Sequence, residues 1–109
     1  MRDLYLPPDV QADIELAVHT LLGRFGQNIS KIILFGSYAN DKYQPDSDID
    51  LAVVLCNLPD ARDRRGYKET VELDHREVDL LFCSQEQLAS NRFVYRWINE
   101  EGVTLYEKL

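Results

Sequence analysis

Asp48 and Asp50 stand two residues apart at the head of an apolar run, Leu51 to Leu55. Strand side chains alternate between faces, so the two carboxylates share a face while Ile49 points into the core. Like charges roughly 7 Å apart at the backbone repel each other unless a cation sits between them. Hard oxygen ligands suit magnesium or manganese. Ten residues separate this pair from Gly36-Ser37, which closes an earlier apolar run, Ile32 to Phe35. Glycine lets the backbone bend or lie close to a ligand. Ser37 offers a hydroxyl and an N–H where a short helical turn can begin, a place suited to triphosphate oxygens. A phosphate site beside a paired-carboxylate metal site points to nucleotide chemistry.

The elements that must position these groups follow from periodicity. Val10, Ile14, Ala17, Val18, Leu21, Leu22 and Phe25 recur at helical spacing. Pro7 and Pro8 suit the first turn of that helix, and Gly26 its stop. The first strand is expected over Ile29 to Phe35, and the second is opened by Asp48. Tyr67 to Leu73 is expected to be helical. His75 to Cys83 reads as the third strand. Its Asp79 stands among Val78, Leu80, Leu81 and Phe82, where a lone carboxylate is costly. It therefore needs either an arginine or a metal ion. Glu77 shares its face. Ser84 and Gln87 have the spacing of a capping box. Phe93, Val94, Trp97 and Ile98 form a helical stripe expected to pack in the core. Gly102 ends that helix, and Val103 to Tyr106 is expected as a short edge strand.

A chain of 109 residues bounds one domain, with 45% hydrophobic residues to build its core. No stretch is long enough to span a membrane and the start lacks a signal-peptide core, so a cytoplasmic protein is expected. Cys56 and Cys83 are then expected as free thiols. The net charge of −7 argues against direct binding to nucleic acid and favours a basic protein partner. Arg62, Arg64, Arg65 and Lys68 form a basic cluster, either a solvated edge or a contact for phosphates or an acidic surface. Asp46, Asp48 and Asp50 also mimic the opening of a calcium loop. Leu51 and Asn57 stand where that loop needs glycine and glutamate.

The Gly36-Ser37 pair, its ten-residue spacing from Asp48-Ile49-Asp50, the later Glu77-Val78-Asp79-Leu80-Leu81 and the closing Ile98 to Glu107 segment together resemble the DNA polymerase beta-type nucleotidyltransferases. In particular they resemble the minimal nucleotidyltransferases of bacteria and archaea. The resemblance covers nearly the whole chain, residues 1–109 as a single minimal domain. It implies an α+β nucleotidyltransferase fold, a mixed sheet with helices packed mainly on one face. It further implies that Asp48, Asp50 and Asp79 are the catalytic and metal-binding acids, holding two Mg²⁺ or Mn²⁺ ions. Gly36 and Ser37 would hold the triphosphate of ATP. Where many members carry a basic residue and a glycine after the serine, this chain has Asn40-Asp41, and Lys42 is placed to supply the charge.

The family also implies an acceptor. Minimal nucleotidyltransferases can act as antitoxins, transferring AMP to a tyrosine of a helical HEPN toxin. Two other readings stand beside this one. The same fold could neutralise a partner by binding alone, or it could nucleotidylate a small molecule of the antibiotic type, with a homo-oligomer completing the pocket.

Overall fold

The computed structural model describes residues 5–58 and 67–108. Helix α1 spans Pro8–Phe25, with Pro7 at its N-cap and Pro8 in its first turn. Proline costs little there, because the first-turn N–H groups have no partner inside the helix. Gly26 closes α1 at φ 54°, a left-handed conformation open to glycine. Strand β1 is Ile29–Phe35 and β2 is Ile49–Leu55. Strand β3 is Tyr67–Glu72 and β4 is Glu77–Ser84. Two short helices follow, α2 (Gln85–Leu88) and α3 (Phe93–Glu101), and then β5 (Val103–Glu107).

The five strands form one mixed sheet in the order β3-β4-β2-β1-β5. Strands β2 and β4 run parallel, and the other neighbours are antiparallel. The three central strands are the apolar ones, as strands buried on both faces must be. Ile49, Leu51, Val53 and Leu55 of β2 join Leu34, Val78 and Phe82 in a cluster closed by Val10, Ile14 and Leu21 of α1. Ala52 and Val54 join Leu81 and Cys83 in a second cluster, closed by Leu88 of α2 and by Tyr95 and Ile98 of α3. The expected mixed α+β sheet is present. Its helices are divided more evenly than expected, with the long one on one face and the two short ones on the other.

Residues 67–72, expected to be helical, form strand β3 instead. Tyr67 stacks on Phe82 of β4 with ring centroids 4.7 Å apart, and Glu69 pairs with Arg24 of α1 at 2.7 Å. An edge strand carries polar residues that blunt it against pairing with other chains. Its apolar alternation is correspondingly faint. The helix anticipated from Ser84 to Gly102 is broken in two. Ser84 and Gln87 form the expected capping box. The first helix ends at Leu88, where Asn99 of α3 donates to the Leu88 carbonyl at 2.7 Å. Phe93, expected in the core, is 81% exposed, whereas Ile98 is buried and Val94 and Trp97 pack at the margin.

Both cysteines are free. Cys56 is exposed and Cys83 buried, and burial pushes the Cys83 thiol up to about 12. No helix among the described residues is long and apolar enough to cross a membrane.

Candidate active site

Two adjacent strands carry Asp50 and Asp79. Phe35 of β1 lies opposite Asp50 of β2, and Asp50 lies beside Asp79 of β4 in the parallel register. Residues level with one another on neighbouring strands point to the same face. Asp50 and Asp79 therefore share the face occupied by α2 and α3. Asp48 is exposed, one residue ahead of β2. Among the described residues, no arginine pairs with Asp79. Its Oδ1 accepts a hydrogen bond from the Thr70 hydroxyl at 2.9 Å, from the β3 position level with it. The arginine of this strand pair, Arg76, turns the other way. It is 7% exposed and binds Asp9 at 2.7 Å and Asp13, fastening α1 to the start of β4.

Burial, and then the charges of Asp79 and Asp48, push the Asp50 carboxyl from 3.8 up to about 6, while Lys68 pulls it down. Lys68 reaches this face from β3, where it lies level with Leu81. The basic cluster noted in the sequence is thus represented here by Lys68. Arg62, Arg64 and Arg65 lie outside the described residues.

The Gly36 turn is built against the same carboxylate. Gly36 has φ 78°, and a Cβ there would stand 2.3 Å from Asp50 Oδ2. Only glycine fits both the conformation and the space. The Ala39 and Asn40 amides donate back to the Gly36 carbonyl, at 3.1 and 3.2 Å, and the Lys42 amide donates to the Ser37 carbonyl at 3.1 Å. One helical turn thus follows the glycine. Ser37 is half-buried at its start, Tyr38 and Ala39 are buried, and Lys42 is exposed beyond it. Asn40 donates to Glu101 of α3 at 3.4 Å. The Trp97 indole N–H donates to the same carboxylate.

Asp50 and Asp79 open onto a cavity of about 340 Å³. Lys68 and Thr70 form its polar wall; Phe35, Val94 and Trp97 form an apolar one. Phe35 and Trp97 meet edge to face with centroids 5.7 Å apart. Thr70 and the Trp97 wall were not singled out as site residues from the sequence. Once β3 is seen as a strand, alternation from Lys68 would have indicated Thr70.

The donor set fits a hard divalent cation in its chemistry: carboxylate oxygens, with the Asp50 carboxyl pushed up by burial and by its acidic neighbours, a shift that a bound cation would oppose. Among the described residues, no three His, Cys, Asp or Glu side chains stand close enough to hold a metal ion together. The parallel register brings Asp50 and Asp79 level at one end of one face, and Asp48 lies near enough for its charge to act on Asp50.

Comparison with known proteins gives this geometry a context. Two proteins of Methanocaldococcus jannaschii, each named "Putative protein adenylyltransferase" (MJ1305 and MJ0604), are 49% identical to the chain over 39 and 37 residues. Those stretches are 36% and 34% of this chain, and 26% and 37% of the two relatives. The chain thus matches about a quarter of one relative's length and little more than a third of the other's. A nucleotidyltransferase-like protein from Exiguobacterium sibiricum shares the fold, with a TM-score of 0.56 and 17% identity over 87% of this chain and 34% of that one. The sequence model of the family described as "Polymerase beta, Nucleotidyltransferase" matches residues 12–108, which contain all three acids and the glycine turn, and the chain belongs to that family.

Proposed function

We propose that the chain transfers AMP from ATP to a hydroxyl of a partner protein, and that the acceptor is a tyrosine of a helical HEPN toxin which the transfer silences. The observation that carries the chemistry is the parallel register of Asp50 with Asp79 beside a turn where only glycine fits. Family membership supports nucleotidyl transfer, and the names of the two archaeal relatives favour ATP as donor and a protein as acceptor. The HEPN partner and the antitoxin role rest on the resemblance to minimal nucleotidyltransferases, and the acidic net charge suits a basic protein surface.

Each residue then has a task. Gly36 lets the triphosphate approach the backbone, Ser37 offers its hydroxyl and amide, and Lys42 adds a charge for the outer phosphates. Asp48, Asp50 and Asp79 would hold two divalent ions, which neutralise the triphosphate and acidify the acceptor hydroxyl when bound. The acceptor oxygen forms a bond to the alpha phosphorus, the bond to the bridging oxygen breaks, and pyrophosphate leaves with that electron pair. The hydroxyl proton passes to solvent or a carboxylate. The protein's share is positioning and electrostatics, as in phosphoryl transfer generally. Phe35, Val94 and Trp97 give the cavity an apolar wall beside the acids, suited to an aromatic ring.

The test is mass spectrometry of the candidate toxin after incubation with the chain, ATP and Mg²⁺. The expected result is one added AMP on a tyrosine, absent with Asp48→Ala or Asp50→Ala although both variants remain folded. Transfer at wild-type level by either variant refutes the assignment of the acids. A toxin that is bound and inhibited but never modified makes the chain a non-catalytic binder.

A further inference from the structure

We infer that the side of the molecule away from the carboxylates carries a docking groove for a basic amphipathic helix of a protein partner. Helix α1 presents one stripe beside β3, in which Asp9, Asp13, Leu16, Ala17, Thr20 and Arg24 recur at steps of one to four residues. Such spacing keeps these residues on one side of the helix. The other wall is the β3 edge, with Val71 and then Leu73, and Val78 and Leu80 lie between the walls. The result is a cavity of about 160 Å³, room for one ring-sized apolar group, since an engineered pocket of about 150 Å³ holds benzene. Leu16 is 53% and Val71 41% exposed. Exposed apolar residues that converge on one groove mark an interaction site more often than scattered ones do.

Charge says what fits. The groove runs on into an open acidic end lined by Asp9, Asp13, Glu72 and Asp74, with His75 beside them. Arg76 answers Asp9 and Asp13 together. Among the described residues, Glu72 and Asp74 form no ion pair. At the opposite end, Arg24 is already held by Glu69 and stacks over Phe25. The surface is therefore apolar along its middle and negative at one end. From Asp9 to Arg24 the stripe is about 22 Å long at the helical rise, the length of a partner helix of about four turns. An apolar stripe at i, i+3, i+4 and i+7 would fill the middle, as in helix-in-groove recognition. Lysine or arginine at one end would meet the acids. The net charge of −7 favours such a partner over a second copy of this chain. A helix lying here leaves the opposite face, and its cavity, open.

This inference does not depend on the transfer chemistry and is tested without nucleotide. The probe is a fluorescent synthetic helix of 18 residues with Leu at helical spacing and Lys at one end, compared with a scrambled peptide of the same composition. Binding by anisotropy is expected for the first, at least tenfold tighter than for the second. Leu16→Glu should weaken it at least tenfold although the change adds a negative charge. Glu72→Lys with Asp74→Lys should weaken it and flatten its salt dependence. Equal binding of both peptides, or no binding, overturns the inference. So does concentration-dependent self-association abolished by Leu16→Glu, which would make a second copy the occupant.

Discussion

On the α1 side of the sheet, Ile49, Leu51, Val53 and Leu55 belong to one apolar cluster. On the other side, the same strand presents Asp50, Ala52 and Val54, and its neighbour presents Asp79. One face is packed along its whole length. The other is packed only where α2 and α3 cover it, and it turns polar at the end where the Gly36 turn leaves β1. The charges are tolerated because they sit at strand ends beside a cavity rather than under a helix. A shift of pairing by one residue would send every one of these side chains to the opposite face, so the apolar face holds the acids in place.

That division can be broken from its packed side first. Phe82 is fully buried, stacked on Tyr67 and 5.2 Å from Phe25. Phe82→Ala should cost about 3–5 kcal/mol, read as a fall in the denaturant midpoint with little change in transfer per folded molecule. Gly36→Ala attacks the boundary between the faces. The strained φ and the collision with Asp50 should together cost about 1–3 kcal/mol, and the displaced carboxylate should lose most of the transfer activity. If Gly36→Ala keeps full transfer, the approach of that turn to Asp50 has no bearing on the reaction.

Asp50 itself separates stability from function. A carboxyl whose pKa is raised on folding binds its proton more firmly in the native state. Its favourable contribution is therefore present below about pH 4 and is lost as pH rises to about 6, between the unfolded value of 3.8 and the folded one. With allowance for solvent screening, the charged group costs the fold about 1–2 kcal/mol at neutral pH. Asp50→Asn should recover that amount at pH 7 and nothing at pH 3.5, while abolishing transfer. Added Mg²⁺ should raise the Tm of the parent protein more than that of the variant. A variant less stable than its parent at pH 7 would contradict the raised pKa.

The central hairpin and the shared face of Asp50 and Asp79 were legible because alternation in a buried strand is a strong signal. Asp79 stood out as a charge among four apolar neighbours. Strand β3 was not legible. With Lys68, Glu69, Thr70 and Glu72 on an exposed edge, its apolar period nearly vanishes, and only β-branched Thr70 and Val71 pointed to a strand. Phe93 looked like core because periodicity cannot show where a helix starts relative to the sheet. Arg76 carried no sequence mark, since its partners Asp9 and Asp13 lie more than sixty residues away.

The smallest expected effect lies where the two sides of β3 diverge. Val71 turns towards α1, while Thr70 turns towards the acids and holds Asp79 through its hydroxyl. Thr70→Val keeps the shape and the β-branch and removes that donor. Stability should change by about 1 kcal/mol or less, the net worth of one exposed hydrogen bond. If the hydroxyl only braces the edge strand, transfer follows the folded fraction and the Mg²⁺ requirement stays put. If it orients Asp79, the Mg²⁺ concentration for half-maximal transfer should rise several-fold while the affinity for ATP alone is kept, and Thr70→Ser should restore it. An unchanged Mg²⁺ response in Thr70→Val removes Thr70 from the site and leaves Asp79 positioned by its strand alone.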